Sequence, residues 1–278
     1  MKQVFLRRGR EEAVIEEIPP PALKAGGVLV RNAFSLISAG TERASLSSAG
    51  QGVIQRATER PDLLKKVFES LYREGLRETY TKVMAKLSEL TPIGYSSSGI
   101  VQEVGAGAEG FSKGDRVACA GAGYANHAQV VFVPMNLFSK VPEGVSLEQA
   151  AFGTLGAIAL QGVRQSGVVL GENVAVIGLG LVGLLTVQIL SAGGIRVLGL
   201  DIDEERVRLS QELGAQSGVV IGRDKFPEIA RAFSRGIGVD AAIITAATPS
   251  NEPVELAGKL CRDRGKVVIV GDVGMQVP

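Results

Sequence analysis

The chain has 278 residues, of which 45% are hydrophobic and 21% are charged, an ordinary composition for a globular protein of one or two domains. Its 30 Lys and Arg residues nearly balance its 29 Asp and Glu residues, so charge gives no reason to expect a nucleic acid or a membrane surface as a partner. With 2 cysteines and 1 histidine, a disulfide framework, a cysteine-rich zinc site and a multi-histidine metal site are excluded.

The opening residues, MKQVFLRRGREEAVIEE, have no long apolar run of the kind that a signal peptide needs, so a cytoplasmic location is expected. The single histidine, His127, lies in the stretch GYANHAQ, which is unlike a nucleophile elbow. We therefore predict a structural or surface role for His127.

The first half of the chain predicts an irregular, mainly antiparallel β domain over residues 1–142. Its apolar and β-branched runs are separated by loops with Gly and Pro and show no alternation with helices. The predicted strands cover residues 4–6, 13–16, 27–33, 99–104, 116–120 and 128–133.

Residues 56–90 break this β pattern. Pro61 suits a first helical turn and Gly75 a break, while an apolar face at helical spacing begins with Leu63 and Leu64. The segment predicts a two-helix insertion. It could cover an active site, form a subunit contact, or pack on its own domain.

Residues 174–195 contain 22 consecutive uncharged residues, long enough to suggest a membrane span. However, a β-branched run at 174–177 is followed by Gly178, Gly180 and Gly183 in the pattern G-x-G-x-x-G, then by a helical stretch at 184–192. A second strand at 195–200 completes a strand–turn–helix–strand unit, which a membrane span does not explain. The pattern predicts a Rossmann dinucleotide-binding site.

Each glycine has a physical role in such a site. Gly178 permits the tight turn, Gly180 lets the backbone approach a pyrophosphate, and Gly183 allows the helix to pack closely on the strand. The N–H groups of the first helical turn, at Leu181 and Val182, then face the phosphates.

Asp201 follows the second strand, 23 residues after Gly178, where a carboxylate accepts hydrogen bonds from the adenosine ribose. A 2′-phosphate would be repelled there, so NAD is favoured over NADP. Arg206 is a candidate partner of the ribose or phosphates, and equally a solvated charge at a helix start.

The alternation continues, with strands predicted at 217–221, 240–245 and 266–270 and helices at 227–235 and 252–261. Residues 143–278, which open with a helical stretch at 147–164, therefore predict a doubly wound parallel sheet. Ligands bind at the carboxyl ends of such strands, which makes Thr245 and Gly271 candidates for the nicotinamide side.

Together these landmarks resemble the medium-chain dehydrogenase/reductase superfamily, of the alcohol dehydrogenase and quinone reductase type. The resemblance covers nearly the whole chain and implies a chaperonin-10-like β domain joined to a Rossmann domain, with Thr154 among the cofactor-binding residues. Besides the glycine pattern, it rests on the stretches GYSSSGIV at 94–101, VG at 104–105, GDRV at 114–117 and AAFGTLG at 150–156.

The positions at which zinc-containing relatives hold their metal are occupied here by Ala39, Tyr95 and Leu155, a set that cannot bind zinc. The resemblance therefore implies a zinc-free enzyme. Tyr95 would donate to a developing oxyanion, or would simply be packed. Ser38, Thr41 and Glu42 lie where the resemblance places groups that relay a proton or support the site.

The stretch SAGTE at 38–42 and the insertion resemble a subgroup fused to a second oxidoreductase domain. In the superfamily further Rossmann strands follow the region around Val270, so the sequence reads as a fragment or as one member of an assembly. We expect an NAD-dependent oxidoreductase acting on a small alcohol or carbonyl compound, with sugar derivatives among the candidate substrates. It would act in a homo-oligomer or with a second oxidoreductase domain. The alternatives are an NADPH-dependent quinone or enoyl reductase and a catalytically incomplete cofactor-binding module.

Overall fold

The structure is a computed structural model that describes residues 1–7, 12–38, 40, 42, 90–223 and 226–276. Ala39, Thr41 and all but the last residue of the predicted insertion 56–90 lie outside the described residues. The chain divides into two compact units, Met1–Thr154 and Leu155–Pro278.

The first unit is built from antiparallel strands, as predicted. Its two sheets have the orders β2-β1-β4 and β7-β3-β5-β6-β8 among the described residues, and a 3-10 helix, Met135–Leu137, precedes β8. The strands are β1 (Lys2–Arg7), β2 (Glu12–Glu17), β3 (Gly27–Ser35), β4 (Leu90–Pro92), β5 (Ser96–Val104), β6 (Arg116–Ala120), β7 (Val130–Pro134) and β8 (Phe138–Lys140).

Alternation of apolar residues explains the core of the larger sheet. Val28 and Val30 of β3, Val117 of β6 and Val133 of β7 are all completely buried and pack in one cluster. Successive side chains of a strand point to opposite faces, so every second residue enters this core. The short strands β4 and β8 were not predicted, because three residues are too few to show a period.

The predicted helical stretch at 147–164 is interrupted, which corrects the sequence interpretation. It forms α1 (Leu147–Ala150) and α2 (Gly153–Ser166). The hydroxyl of Ser96, a residue of β5, donates to the carbonyl of Ala151 at 2.6 Å. In a continuous helix this carbonyl would instead accept a backbone N–H group of the helix itself. Ser146 starts α1 with a capping box to Gln149.

The second unit contains the predicted parallel sheet. Its strand order is β11-β10-β9-β12-β14, and every neighbouring pair is parallel, which is the order of a doubly wound Rossmann sheet. After α2 the elements are β9 (Asn173–Ile177), α3 (Leu181–Ala192), β10 (Arg196–Asp201), α4 (Glu204–Glu212), β11 (Ser217–Val220), α5 (Phe226–Phe233), β12 (Val239–Ile244), β13 (Ala247–Thr248), α6 (Glu252–Leu260), β14 (Cys261–Ile269) and β15 (Asp272–Val273).

Both faces of this sheet are covered. Ala175 and Ile177 of β9 pack in a cluster with residues of α5 and α6, while Val174 and Val176 pack in a second cluster with residues of α3. Burial on both faces explains why β9 is an uninterrupted apolar run. Within the described part of the chain, no helix has the length and hydropathy needed to cross a membrane.

After α2, two elements of this unit begin three or more residues away from the predicted start. Helix α3 begins at Leu181 and not at 184, because the N–H of Leu184 already bonds the carbonyl of Gly180 at 2.9 Å. Strand β14 begins at Cys261, directly after α6, whereas the apolar run that signals a strand starts only at 266.

Candidate functional site

The glycine pattern lies in the turn between β9 and α3. Gly178 has a φ of +93°, and a Cβ there would come within 2.6 Å of the backbone nitrogen of Ala246. A Cβ on Gly183 would overlap the carbonyl oxygen of Gly178 and lie 2.8 Å from the Thr245 hydroxyl. Both positions therefore exclude side chains, as the predicted roles require.

Gly180 differs from the other two glycines, because no atom lies within 4 Å of the position that its Cβ would take. Gly180 is also the N-cap of α3, and no side chain caps this end of the helix. The turn thus leaves open space in front of the backbone N–H groups of Leu181 and Val182. This cradle fits a dinucleotide pyrophosphate, which binds to a helix N-terminus with its positive dipole end.

Asp201 ends β10 next to this turn and is 5% exposed. Its Oδ2 accepts the backbone N–H of Leu179 at 2.6 Å, and its Oδ1 accepts the backbone N–H of Asp203 at 3.0 Å. The carboxylate therefore fixes the glycine turn as well as the start of the following loop. Since two carboxylate oxygens offer about four acceptor positions, it can still accept hydrogen bonds from ribose hydroxyls.

Arg206 lies beside this carboxylate. Its Nη1 is 3.9 Å from Asp201 Oδ2, its Nε is 3.6 Å from Asp203 Oδ2, and its side chain is 53% exposed. Asp203 also caps α4, accepting the backbone N–H groups of Glu205 and Arg206. The guanidinium is thus flanked by two carboxylates.

Thr245 and Gly271 follow β12 and β14 at the same edge of the sheet. The Thr245 hydroxyl donates to the carbonyl of Gly178, and the Gly271 N–H bonds the carbonyl of Ile244 at 3.0 Å. A Cβ on Gly271 would overlap the carbonyl oxygen of Ala246. The structure therefore brings the predicted residues Gly178, Gly183, Asp201, Thr245 and Gly271 together at one end of the sheet.

The remaining predicted site residues belong to the first unit. The Thr154 hydroxyl lies 3.3 Å from the carbonyl oxygen of Tyr95 and 3.4 Å from that of Cys119. Tyr95 is partly exposed, and its hydroxyl has no hydrogen bond to another residue among those that the structure describes. The choice between an oxyanion donor and a packed side chain at Tyr95 therefore stays a prediction.

Ser38 and Glu42 contact each other and reach an unpredicted partner. The Ser38 N–H donates to Glu42 Oε1 at 3.1 Å, and the same oxygen lies 3.1 Å from Nε2 of His127. Nδ1 of His127 lies 2.8 Å from the Ser35 hydroxyl. A buried and hydrogen-bonded His127 is compatible with the structural role predicted from sequence, although its two partners were not predicted.

Neither cysteine behaves as an activated thiol. Burial raises the pKa of Cys119 to about 12, despite an opposing hydrogen bond with Ser97, and burial also raises the pKa of Cys261. Thiolate is the reactive and metal-binding form. Consistent with this, no group of three or more His, Cys, Asp or Glu residues suited to a metal ion occurs in the described ranges.

Comparisons with known proteins give the same architecture. A family profile for zinc-binding dehydrogenases matches residues 182–278. The (R,R)-butanediol dehydrogenase of Bacillus subtilis (strain 168) is 30% identical over 191 residues, which are 58% of this chain and 54% of that protein. These matches agree with the resemblance to the medium-chain dehydrogenase/reductase superfamily that the sequence motifs indicated.

Solved structures of several oxidoreductases match along the whole chain. A quinone oxidoreductase of Pseudomonas syringae pv. Tomato DC3000 aligns with a TM-score of 0.72 and 21% identity, over 100% of this chain and 76% of that one. A zinc-binding dehydrogenase of Sinorhizobium meliloti 1021, solved with NADP bound, aligns with a TM-score of 0.76 and 22% identity, over 100% of this chain and 79% of that one. At this level of identity, the matches to solved structures show the fold alone. The chain spans little more than half the length of the butanediol dehydrogenase.

Proposed function

We propose that this chain is an NAD-dependent, zinc-independent oxidoreductase that interconverts a small alcohol and its carbonyl compound. The observation that carries the proposal is the open cradle at Gly180 beside the buried carboxylate of Asp201. Bound there, the nicotinamide cofactor would supply the hydride acceptor or donor. The named activities of relatives, such as the butanediol dehydrogenase, support the substrate class.

The residues of the second unit would hold the cofactor. The N–H groups of Leu181 and Val182 would bind the pyrophosphate, and Asp201 the adenosine ribose hydroxyls. A 2′-phosphate at the same place would meet a carboxylate, and Arg206 offers it little compensation because Asp201 and Asp203 flank its guanidinium. This argument favours NAD, although one structural neighbour binds NADP.

The absence of a zinc ligand set supports the second part of the proposal. Ala39, Tyr95 and Leu155 stand at the positions that the resemblance implies for zinc ligands, and none of them is a Cys, His, Asp or Glu, the usual ligands of zinc. A carbonyl substrate then needs another hydrogen-bond donor for the oxyanion. Tyr95 is our candidate, because its hydroxyl is not engaged elsewhere in the described part of the chain.

The second candidate function is an NADPH-dependent quinone or enoyl reductase, because the fold is similar to that of a quinone oxidoreductase. The two candidates differ in the cofactor that they bind. The proposal also includes an association with a second copy of the chain or with a second oxidoreductase domain. It further includes a cytoplasmic location.

Calorimetric titration of the wild-type chain with NADH and with NADPH tests the cofactor. We expect NADH to bind more tightly, and Asp201→Asn to weaken NADH binding about tenfold, since hydrogen bonds to a charged group contribute about 1.5–3 kcal/mol. Asp203→Asn is the matched control, because it also removes a charge beside Arg206 and retains a capping oxygen. Tighter binding of NADPH would favour the reductase candidate, and no binding of either would contradict both.

Turnover assays complete the test. Wild-type protein is assayed with NAD⁺ and 2,3-butanediol or sorbitol, and with NADH or NADPH and 1,4-benzoquinone. Oxidation of a diol or polyol supports the proposed function. If NADPH-dependent reduction of the quinone were the only reaction observed, the proposed function would be overturned.

A further inference from the structure

One peptide unit of the glycine turn is held by side chains from two different strands. The unit joins Gly178 to Leu179, directly after β9. Its carbonyl accepts a hydrogen bond from the Thr245 hydroxyl, and its N–H donates to Asp201 Oδ2 at 2.6 Å. Because the C=O and N–H groups of a trans peptide point in opposite directions, the two side chains hold the unit from opposite sides.

The strand order explains how both side chains reach the turn. In the parallel sheet β9 lies between β10 and β12, and Asp201 is the last residue of β10, while Thr245 directly follows β12. The backbone N–H of Thr245 also donates to the Ile177 carbonyl at 2.9 Å. The carboxyl ends of three neighbouring strands therefore meet at this one peptide unit.

The third glycine of the turn leaves room for the Thr245 hydroxyl. A Cβ on Gly183 would lie 2.8 Å from this hydroxyl and would overlap the Gly178 carbonyl oxygen. A hydroxyl has one proton to donate, and the carbonyl oxygens within its reach are those of Gly178 and, at 3.3 Å, Ile177. The proton is thus used inside the turn and is not available to a nicotinamide.

The two hydrogen bonds matter because a glycine leaves the backbone of the turn free to rotate. Gly178 has a φ of +93°, and its ψ is restrained by no side chain of its own. Loss of either hydrogen bond would let the peptide unit adopt several orientations, one residue before the open space at Gly180. A ligand would then have to order the turn on binding, which lowers its affinity.

We propose that Thr245 is a positioning residue, which together with Asp201 holds the Gly178–Leu179 peptide so that the turn is preorganised for a cofactor pyrophosphate. This inference rests on the proposed function, because the cofactor is part of it. Thr245 acts only through the peptide unit and does not contact the pyrophosphate. Asp201 links two parts of the cofactor site, since the carboxylate that would bind the ribose also holds the pyrophosphate turn.

The first test needs no cofactor. Amide hydrogen exchange is measured by NMR on the ¹⁵N-labelled full chain, with Val176, a fully buried residue of β9, as the internal reference. We expect Thr245→Val to speed exchange at the Leu179 N–H about threefold to tenfold relative to Val176, the range that loss of a neutral hydrogen bond gives. Thr245→Ser keeps a hydroxyl and should exchange as the wild type does.

The second test separates two roles that Thr245 could have. NADH and ADP-ribose share the adenosine and the pyrophosphate, but only NADH carries a nicotinamide. In calorimetric titrations we expect Thr245→Val to raise the Kd of both ligands by the same factor, about threefold to tenfold, and Thr245→Ser to restore the wild-type values. A rise in the Kd of NADH alone would make Thr245 a nicotinamide contact and would contradict the positioning role.

Thr186→Val is the matched control for both tests. The Thr186 hydroxyl also donates to a backbone carbonyl, that of Val182 at 2.8 Å, but this bond lies within α3 and not in the turn. We expect Thr186→Val to leave the Leu179 exchange rate and both Kd values as in the wild type.

The remaining outcomes distinguish the positioning role from the proposed function. Wild-type Kd values for both ligands in Thr245→Val, with or without faster exchange at Leu179, would overturn the positioning role and leave the proposed function standing. If the wild-type chain bound neither NADH nor ADP-ribose, the proposed function would be overturned, and the positioning role with it.

Discussion

At the scale of single residues, the three glycines of the turn have different tasks. Gly178 and Gly183 are required by packing, since a side chain on either would collide with backbone or with Thr245. Gly180 has no such neighbour, so packing of the protein itself does not require glycine there. We therefore expect Gly180 to keep space free for the proposed cofactor.

This difference predicts opposite effects of two similar substitutions. Gly183→Ala should lower the free energy of unfolding by about 1–3 kcal/mol or more, because overpacking forces a backbone shift. Gly180→Ala should leave stability within about 0.5 kcal/mol of the wild type and still weaken NADH binding. Thermal melts and calorimetric titration of both variants check this.

The reverse pattern would contradict the assignment of the cradle. If Gly180→Ala bound NADH as the wild type does, the open space at this residue would not be the pyrophosphate site. Gly156→Ala is a suitable control, because a Cβ there also meets nothing within 4 Å and lies outside the turn.

At the scale of elements, Asp240 links three neighbouring strands at their amino ends. Its Oδ2 accepts the backbone N–H of Asn173, at the start of β9, at 2.8 Å. Its Oδ1 accepts Nε of Arg262, near the start of β14, at 2.7 Å. Burial alone would raise the pKa of Asp240, but these hydrogen bonds outweigh burial and hold the pKa below its ordinary value.

A lowered pKa in the folded state makes the ionised form of Asp240 stabilising. The contribution is fully present above the ordinary pKa of an aspartate, about 4, and is lost as the pH falls through the lower pKa of the folded state. Asp240→Asn should therefore cost about 1 kcal/mol at neutral pH, and the difference from wild type should shrink below about pH 4. Urea denaturation across this range measures it.

The control for this prediction is Asp263→Asn, which removes an exposed carboxylate from β14, the strand that carries Arg262. It should leave the pH dependence of the urea midpoint as in the wild type. A constant difference between wild type and Asp240→Asn at every pH would show that the carboxylate charge is not what stabilises the strand ends.

At the scale of the whole molecule, the candidate chemistry is divided between two units that each have a core. The second unit holds the glycine turn, Asp201 and Thr245. The first unit holds Tyr95 and the hydrogen-bonded group of Ser35, Glu42 and His127. Cofactor binding and proton handling are therefore expected to respond separately to substitution.

The proposed zinc independence concerns the whole chain and is tested on it. We expect elemental analysis to find no stoichiometric zinc, and dialysis against a chelator to change neither the Tm nor the Kd for NADH, because the implied ligand positions carry Ala39, Tyr95 and Leu155. One zinc per chain, or a Tm that falls on chelation and recovers with added zinc, would contradict this expectation.

Much of the second unit was predictable from sequence. The cores of β9, β10, β11 and β12 were predicted as strands, and the βα alternation gave the parallel sheet. Such features depend on local periodicity and on glycine geometry, which sequence displays directly. The break between α1 and α2 was missed, because it depends on a hydrogen bond from Ser96, which is distant in sequence.

The sequence by itself determined the fold class, the cofactor turn and the acid at the end of β10, because all three are encoded within a few tens of neighbouring residues. Only the tertiary structure decided that Asp201 holds the Leu179 N–H and that His127 contacts both Ser35 and Glu42. The latter contacts join residues 92 and 85 positions apart. No periodicity in the sequence indicates such residue pairs, because the two residues of each pair belong to strands or loops that meet only after the chain has folded.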